Sequence, residues 1–519
     1  MSTAPPLLED GRIRAINPRT FEVLDSFAID PVDTLPLALA RCRDAQTVWA
    51  AQPIKQRMAA VAQVLGRVVE RADHLANVVR QDHGKSTTEA YFSEVLGVAE
   101  VVRTHLKYDR RWLKSSTVSL DPLSYPGKRA RVEWLPRGLI GLITPWNYPL
   151  ALPMRTIVPA LIAGNGVLFK PSEHTVLCGH EISALFEGLL PDGLFQLLVG
   201  DGELGAALSA SGQLDAIVFT GSVATGRRVA AAAASNLVPV SLELGGKDAA
   251  IVCADADLER AAAGIAWGAF HNSGQNCAAI ERLYVEDVVY DEFLTRLVTE
   301  TKALRTRGDG DLCEVGPLCN QNQFDVVMHQ LDDALARGGR TLCGGQPNGE
   351  GWGIEPTIVV DAPNDALLWT EETFGPLLPV ARVHSVYEAI DACNASPFGL
   401  SASVWGRDTG RAEALARSCN VGMAMVNNHS FMGSVPNSPW VGTNDSGYGV
   451  TGSELAMKFL ARPQLVVVDR SKVREIWWYP LNETALAMVR TVVQSLAAPL
   501  GRRLKLSLRL LGLLAKRWG

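Results

Sequence analysis

The chain has 519 residues, 47% hydrophobic and 20% charged, enough to bury a large core and long enough for more than one structural unit. Its net charge of −6 gives no electrostatic footprint for nucleic acid, and its nine cysteines, without any C-x-x-C spacing, suit neither a disulfide framework nor a zinc site. A small-molecule enzyme with no metal fits this profile, and the lack of a signal-type N-terminus or an eighteen-residue apolar run makes a cytoplasmic setting the expectation.

Residues 35–115 read mainly as helices, since apolar positions recur at helical spacing through RMAAVAQVLGRVVERADHLANVV with arginines on the opposite face. From about residue 139 the texture changes. Short β-type runs (GLIGLIT, GVLFK, LFQLLV, AIVFT, VPVSLEL) alternate with Ala-rich helical stretches, the pattern of a parallel sheet covered by helices. After residue 250 a second such rhythm begins with DAAIVCA, ERLYVE, PTIVVD and LLPVARV. The expected fold is α/β, with two lobes and a cleft between them.

In chain order, TPWNYP places Asn147 between aromatic residues and prolines that stiffen the segment, so its amide is suited to donating to an oxyanion or else simply marks a turn. Gly200-Asp201-Gly202-Glu203-Leu204-Gly205 is a literal G-x-G-x-x-G, but the acidic residue expected about twenty positions on is missing. A cleaner phosphate candidate follows AIVFT, where Gly221, Ser222 and Gly226 lead into an Ala-rich helix; an ordinary strand-to-helix turn reads the same way. Glu243 ends a β-type run in apolar surroundings, as a general base or a turn cap. Cys277, in SGQNCAA, is by itself as consistent with a small buried hydrophobe as with a nucleophile.

Taken together, TPWNYP, GNGVLFKPSEHT, FTGSVATG, LELGGK, FHNSGQNC, EETFGP and PFGLSASVW form an ordered series that closely resembles the aldehyde dehydrogenase superfamily, NAD(P)-dependent and non-acylating, from about residue 15 to about 465. The resemblance implies that Cys277 attacks an aldehyde, that Asn147 and the Cys277 backbone N–H stabilise the oxyanion, and that Glu243 activates water to hydrolyse the thioester. For the cofactor it implies NAD, with NADP possible. It implies that Lys170 and Glu173 hold the adenosine ribose, that Gly221 and Ser222 lie in the pyrophosphate and nicotinamide neighbourhood, that Glu372 holds the nicotinamide ribose and Phe374 packs near the ring, and that Thr144, Pro145, Trp146, Ser172, Gly226 and Leu244 complete the cofactor site. The implied fold has a Rossmann-like cofactor domain (1–117 and 138–245), an α/β catalytic domain (246–445) and a small β oligomerisation extension (118–137 and 446–470). A homodimer or homotetramer is usual for such proteins.

The sequence departs from the pattern in two places. Where relatives carry PFGG-x-K-x-SG, this chain has Trp440 and Asn444, so the substrate lining is partly its own. Tyr148, Leu152, Arg155, His271 and Trp440 are the expected substrate neighbours. Arg155 matches one of two arginines of succinate-semialdehyde dehydrogenases, but His271 stands where the second would fall, leaving that enzyme as an alternative to oxidation of a broader aliphatic or aromatic aldehyde. A thioesterase-type activity in a membrane-docked, cofactor-binding protein is the other alternative. The tail, 471–519, is the second departure: Leu504, Leu508, Leu511, Ala515 and Trp518 share one face of a basic helix, suited to an anionic membrane surface or to docking on protein.

Overall fold

The computed structural model describes residues 4–517 except 122–124, 126, 309–311, 473 and 476. Trp518 therefore lies outside the described residues. The chain forms two compact units, residues 1–114 with 134–462, and 115–133 with 463–519.

The first unit is built on two sheets. One is five-stranded and wholly parallel, in the order Val240–Glu243, Ala216–Thr220, Leu139–Ile143, Gly166–Lys170, Phe195–Leu197. Leu139–Ile143 and Gly166–Lys170 are buried at every position, as near-continuous apolar runs covered on both faces must be. The second sheet has seven strands, with Asp248–Val252 and Ile280–Glu286 at its centre and only its edge strand Arg340–Cys343 antiparallel. The expected β-type runs and the helical character of 35–115 all appear in place, and the fold is α/β as expected. Not foreseen were the strands Ser401–Trp405 and Met423–Val426, which complete the second sheet, and an antiparallel three-stranded sheet at residues 8–28.

The carboxyl ends of the parallel strands place the candidate groups, since loops leaving that edge carry Thr144–Asn147, Pro171–Glu173, Gly221–Ser222 and Glu243–Gly246. The G-x-G-x-x-G stretch forms a turn into the helix Gly202–Ala210, where Asp201 caps the helix by accepting from the Glu203 N–H at 2.9 Å. The second unit contains a three-stranded sheet, Ala461–Asp469, Lys128–Pro136, Ser116–Val118, and two helices, Glu483–Leu496 and Leu500–Ala515.

Candidate active site

Cys277 follows a tight turn, His271–Gly274, in which Asn272 and Ser273 both adopt left-handed backbone conformations (φ +53° and +58°). Such conformations cost free energy in non-glycine residues and persist only where neighbours enforce them. Here they do. The Asn272 amide donates to the backbone carbonyls of Asn147 and Gln275, both at 2.9 Å, and Gln275 accepts from the Cys319 N–H at 2.8 Å. Gly274 is left-handed as well, and a Cβ on it would run into the Gly375 carbonyl. The turn thus fixes where the next residues point, and Asn276 is held by Ser430 Oγ at 2.8 Å. Cys277 Sγ faces a cavity and approaches Asn276 Oδ1 at 3.8 Å.

Burial raises the Cys277 thiol pKa well above its ordinary value, and the carboxylates of Asp248, Glu243 and Glu372 push it further. The resting thiol is therefore protonated. Glu243 closes its strand as a buried residue on the same cavity, and neither carboxylate oxygen has a hydrogen-bond partner among the described residues. Burial lifts its pKa to about 8, opposed by the Arg155 guanidinium. A carboxylate so placed caps no turn, and a pKa near 8 is of the kind a general base needs.

Asn147 is buried, and its Nδ2 donates to the Gln275 carbonyl at 3.1 Å, which ties the amide to the loop that ends in Cys277. Two residues absent from the sequence reading set this shelf. Lys85 and Glu94 form a fully buried ion pair; Lys85 Nζ also donates to the Asn147 carbonyl at 2.8 Å, and Glu94 Oε2 accepts from the N–H groups of Leu150 and Ala151. Glu94→Gln would leave Lys85 buried without its counterion, so a loss of roughly 3–5 kcal/mol is expected. A lowered thermal unfolding midpoint checks this.

The residues expected at the cofactor converge on the strand ends. Lys170 Nζ lies 3.3 Å from Glu173 Oε2, and Ser172 Oγ accepts from the His174 N–H, so Ser172 caps the turn that carries Glu173. Ser222 caps the helix Val223–Ala234, leaving that helix's first N–H groups at the strand end, and Gly226 sits against Leu244. Thr144 Oγ1 is buried with no partner among the described residues. Trp146 meets Phe374 edge to face, with centroids 5.4 Å apart. Phe374 is held in a left-handed conformation (φ +51°) by Glu281, which accepts the Thr373 and Phe374 N–H groups at 2.7 and 2.8 Å and pairs with Lys247 at 2.8 Å. Glu372 accepts from the Gly246 N–H at 2.9 Å; burial and Glu281 raise its pKa to about 8. An unpartnered hydroxyl, an open helix N-terminus and a lysine–glutamate pair at one strand edge suit a dinucleotide's ribose and phosphate groups.

The cavity facing Cys277 has a volume of about 640 Å³, and Tyr148, Leu152, Arg155, His271 and Trp440 all line it. Arg155 is buried. It donates to the Gly433 carbonyl at 2.5 Å, while Nε and Nη2 have no partner among the described residues. His271 stacks on Trp267 (4.4 Å between centroids), contacts the Trp267 carbonyl through Nδ1 and faces the Asn276 amide through Nε2 at 3.0 Å. Because the amide donates, Nε2 accepts, so the ring is neutral; burial lowers its pKa to about 4. His271 is thus no cationic stand-in for a second arginine. The outer end was not legible from the sequence: Phe92, Leu96, Trp267 and Leu312 line the cavity and are exposed large hydrophobics.

Residues 8–466 match the aldehyde dehydrogenase family model. The chain belongs to the aldehyde dehydrogenase family and is an aldehyde-oxidising oxidoreductase. It is 36% identical over 477 residues to the 4,4'-diapolycopene aldehyde oxidase of a Methylomonas species, covering 91% of this chain and 88% of that one. Among solved structures it resembles PnpE of Pseudomonas sp. WBC-3, in complex with nicotinamide adenine dinucleotide (31% identity, TM-score 0.85, 90% and 96% of the two chains). It also resembles lactaldehyde dehydrogenase of Escherichia coli (30% identity, TM-score 0.85, 89% and 96%).

Proposed function

We propose that the protein oxidises a lipophilic aldehyde to its carboxylic acid with NAD, through a thioester on Cys277. The observation that carries the substrate class is the apolar mouth: a site for a small hydrophilic aldehyde has no use for exposed Phe92, Leu96, Trp267 and Leu312 at its entrance. The relative named for a diapolycopene aldehyde is consistent with this class.

In this reading Lys170, Glu173, Ser222 and Glu372 hold NAD, which supplies the hydride acceptor. The Glu173 carboxylate at the adenosine ribose favours NAD over NADP by repelling a 2′-phosphate. Glu243 takes the proton from the neutral Cys277 thiol, and the thiolate adds to the aldehyde carbon. The Asn147 amide and the Cys277 N–H stabilise the oxyanion of that adduct. After oxidation leaves a thioester, Glu243, having released the thiol's proton to solvent, takes a proton from water as that water attacks the acyl carbon. The acid departs with the Cys277 thiolate as the leaving group, and that proton returns to the thiolate to restore the neutral thiol. A homodimer or homotetramer completes the reading, because the edge strand Ala461–Asp469 presents exposed Leu465, Val467 and Val468 for pairing with a second copy. The setting is cytoplasmic, with the tail reaching a membrane.

NADH formation across a panel of succinic semialdehyde and short, long and aromatic aldehydes tests the substrate class. Long or extended apolar aldehydes should give the highest kcat/KM, and a preference for succinic semialdehyde would overturn the reading. Arg155 separates the two further: Arg155→Leu should change kcat/KM for a lipophilic aldehyde less than tenfold, whereas a succinate-semialdehyde dehydrogenase would lose at least about a hundredfold with its carboxylate grip. Ester turnover without NAD, with no aldehyde oxidation, would favour the thioesterase alternative instead.

A further inference from the structure

The two tail helices form a hairpin that is apolar on more than its inner face. Ala485, Met488 and Thr491 of the first helix and Leu506 of the second are buried between them. The hairpin's turn is tied by Arg503, which donates to the carbonyls of Ser495 and Leu496, and its open end by Arg517, which donates to those of Trp478 and Pro480. The outward faces are a different matter. On the first helix Leu486, Val489, Val493 and Leu496 form one stripe at helical spacing, each at least half exposed. On the second, Leu500, Leu504, Leu508 and Leu511 form another such stripe, with 62–85% exposure. Trp478 and Tyr479, just ahead of the hairpin, are exposed too.

Charge identifies what covers these stripes. Residues 484–519 hold seven Lys and Arg and no Asp or Glu, in a chain whose net charge is −6. Arg502, Lys505, Arg509 and Lys516 are exposed and run at helical spacing along one flank of the second helix's stripe. Long basic side chains beside an apolar face, with aromatic residues nearby, are the composition of a helix lying in a bilayer interface. A second copy of the hairpin would bring like charges together instead. No helix among the described residues is long and apolar enough to cross a membrane.

We infer that the hairpin 483–515 is a peripheral docking surface for a bilayer carrying anionic lipid, with the leucine and valine stripes entering the interface and the flanking cations meeting the headgroups. The inference stands independently of the aldehyde proposed above, because binding is read without substrate. The test is sedimentation of the full chain with phosphatidylcholine vesicles, with and without phosphatidylglycerol. The protein should sediment with the anionic vesicles and far less with the neutral ones, and added salt should weaken binding. Arg502→Gln with Arg509→Gln should lower partitioning roughly thirtyfold, about fivefold per basic residue. Leu504→Glu with Leu508→Glu should abolish it, with aldehyde oxidation in vesicle-free buffer unchanged in both variants. Equal binding to both vesicles, no binding by the unaltered chain, or undiminished binding by the leucine variant would each overturn the inference. A leucine variant that lowers the mass in solution, with no vesicle binding by the unaltered chain, would assign the stripe to a second copy.

Discussion

Cys277→Ala is expected to abolish aldehyde oxidation, with a loss of roughly 10⁴-fold or more, while NAD still binds. The size follows from the chemistry, because without a sulfur no covalent adduct forms and neither Glu243 nor Asn147 has a reacting atom to act on. The variant should fold normally, since the thiol lines a cavity and makes no closer approach to Asn276 than 3.8 Å. A control lies in the same cavity. Cys313 also lines it, but its thiol is turned to the carbonyls of Arg305 and Val315 at 3.5 and 3.4 Å, so Cys313→Ala should remain active. NADH formation by both variants, with NAD binding followed by fluorescence, checks the pair; loss of activity in the Cys313 variant alone would move the nucleophile.

Glu243→Gln should reduce steady-state turnover by about 10²–10⁴-fold, the usual contribution of a general base. Because the variant loses the base for both thiol deprotonation and hydrolysis, rapid mixing should show thioester forming slowly but hydrolysing more slowly still, so NADH approaches one per site and then rises little further. The pH profile carries the second signature. With its pKa raised to about 8 by burial, Glu243 is protonated and unable to accept a proton at lower pH, so kcat/KM should rise with pH and level off above about 8. That rise should be missing in the glutamine variant. Glu372 is raised to about the same value by burial and Glu281, so it is the group that could imitate the effect. Glu372→Gln should weaken NAD binding and leave the pH profile of kcat/KM at saturating NAD unchanged.

The sequence made the strand ends legible because buried parallel strands are short apolar runs bounded by turn residues, and Glu243 and the Gly221–Ser222 turn lie at the ends of such runs. Cys277 was different. SGQNCAA has no local feature that separates a reactive thiol from a packed one, and only its order among the other motifs set it apart. The supports of the site were hidden for a physical reason: Lys85 with Glu94, and Lys247 with Glu281, are charged residues whose partners are brought to them only by the fold. The cavity mouth was hidden likewise, because Leu96 lies in a helix whose other apolar residues, such as Val98 and Val102, fill the core. In the tail, the outward Leu504–Leu508–Leu511 face was readable from spacing. The partner helix 483–496 and the inward turn of Arg517 were not, since both depend on the hairpin closing.

The central claim is a thioester on Cys277, and it is tested most directly by trapping it. Glu243→Gln mixed with NAD and a long-chain aldehyde, quenched in acid and digested, should yield the peptide containing Cys277 heavier by the acyl group of that aldehyde. An unmodified Cys277 peptide, or an acyl group on another residue, in a sample that has formed a stoichiometric burst of NADH would contradict the account.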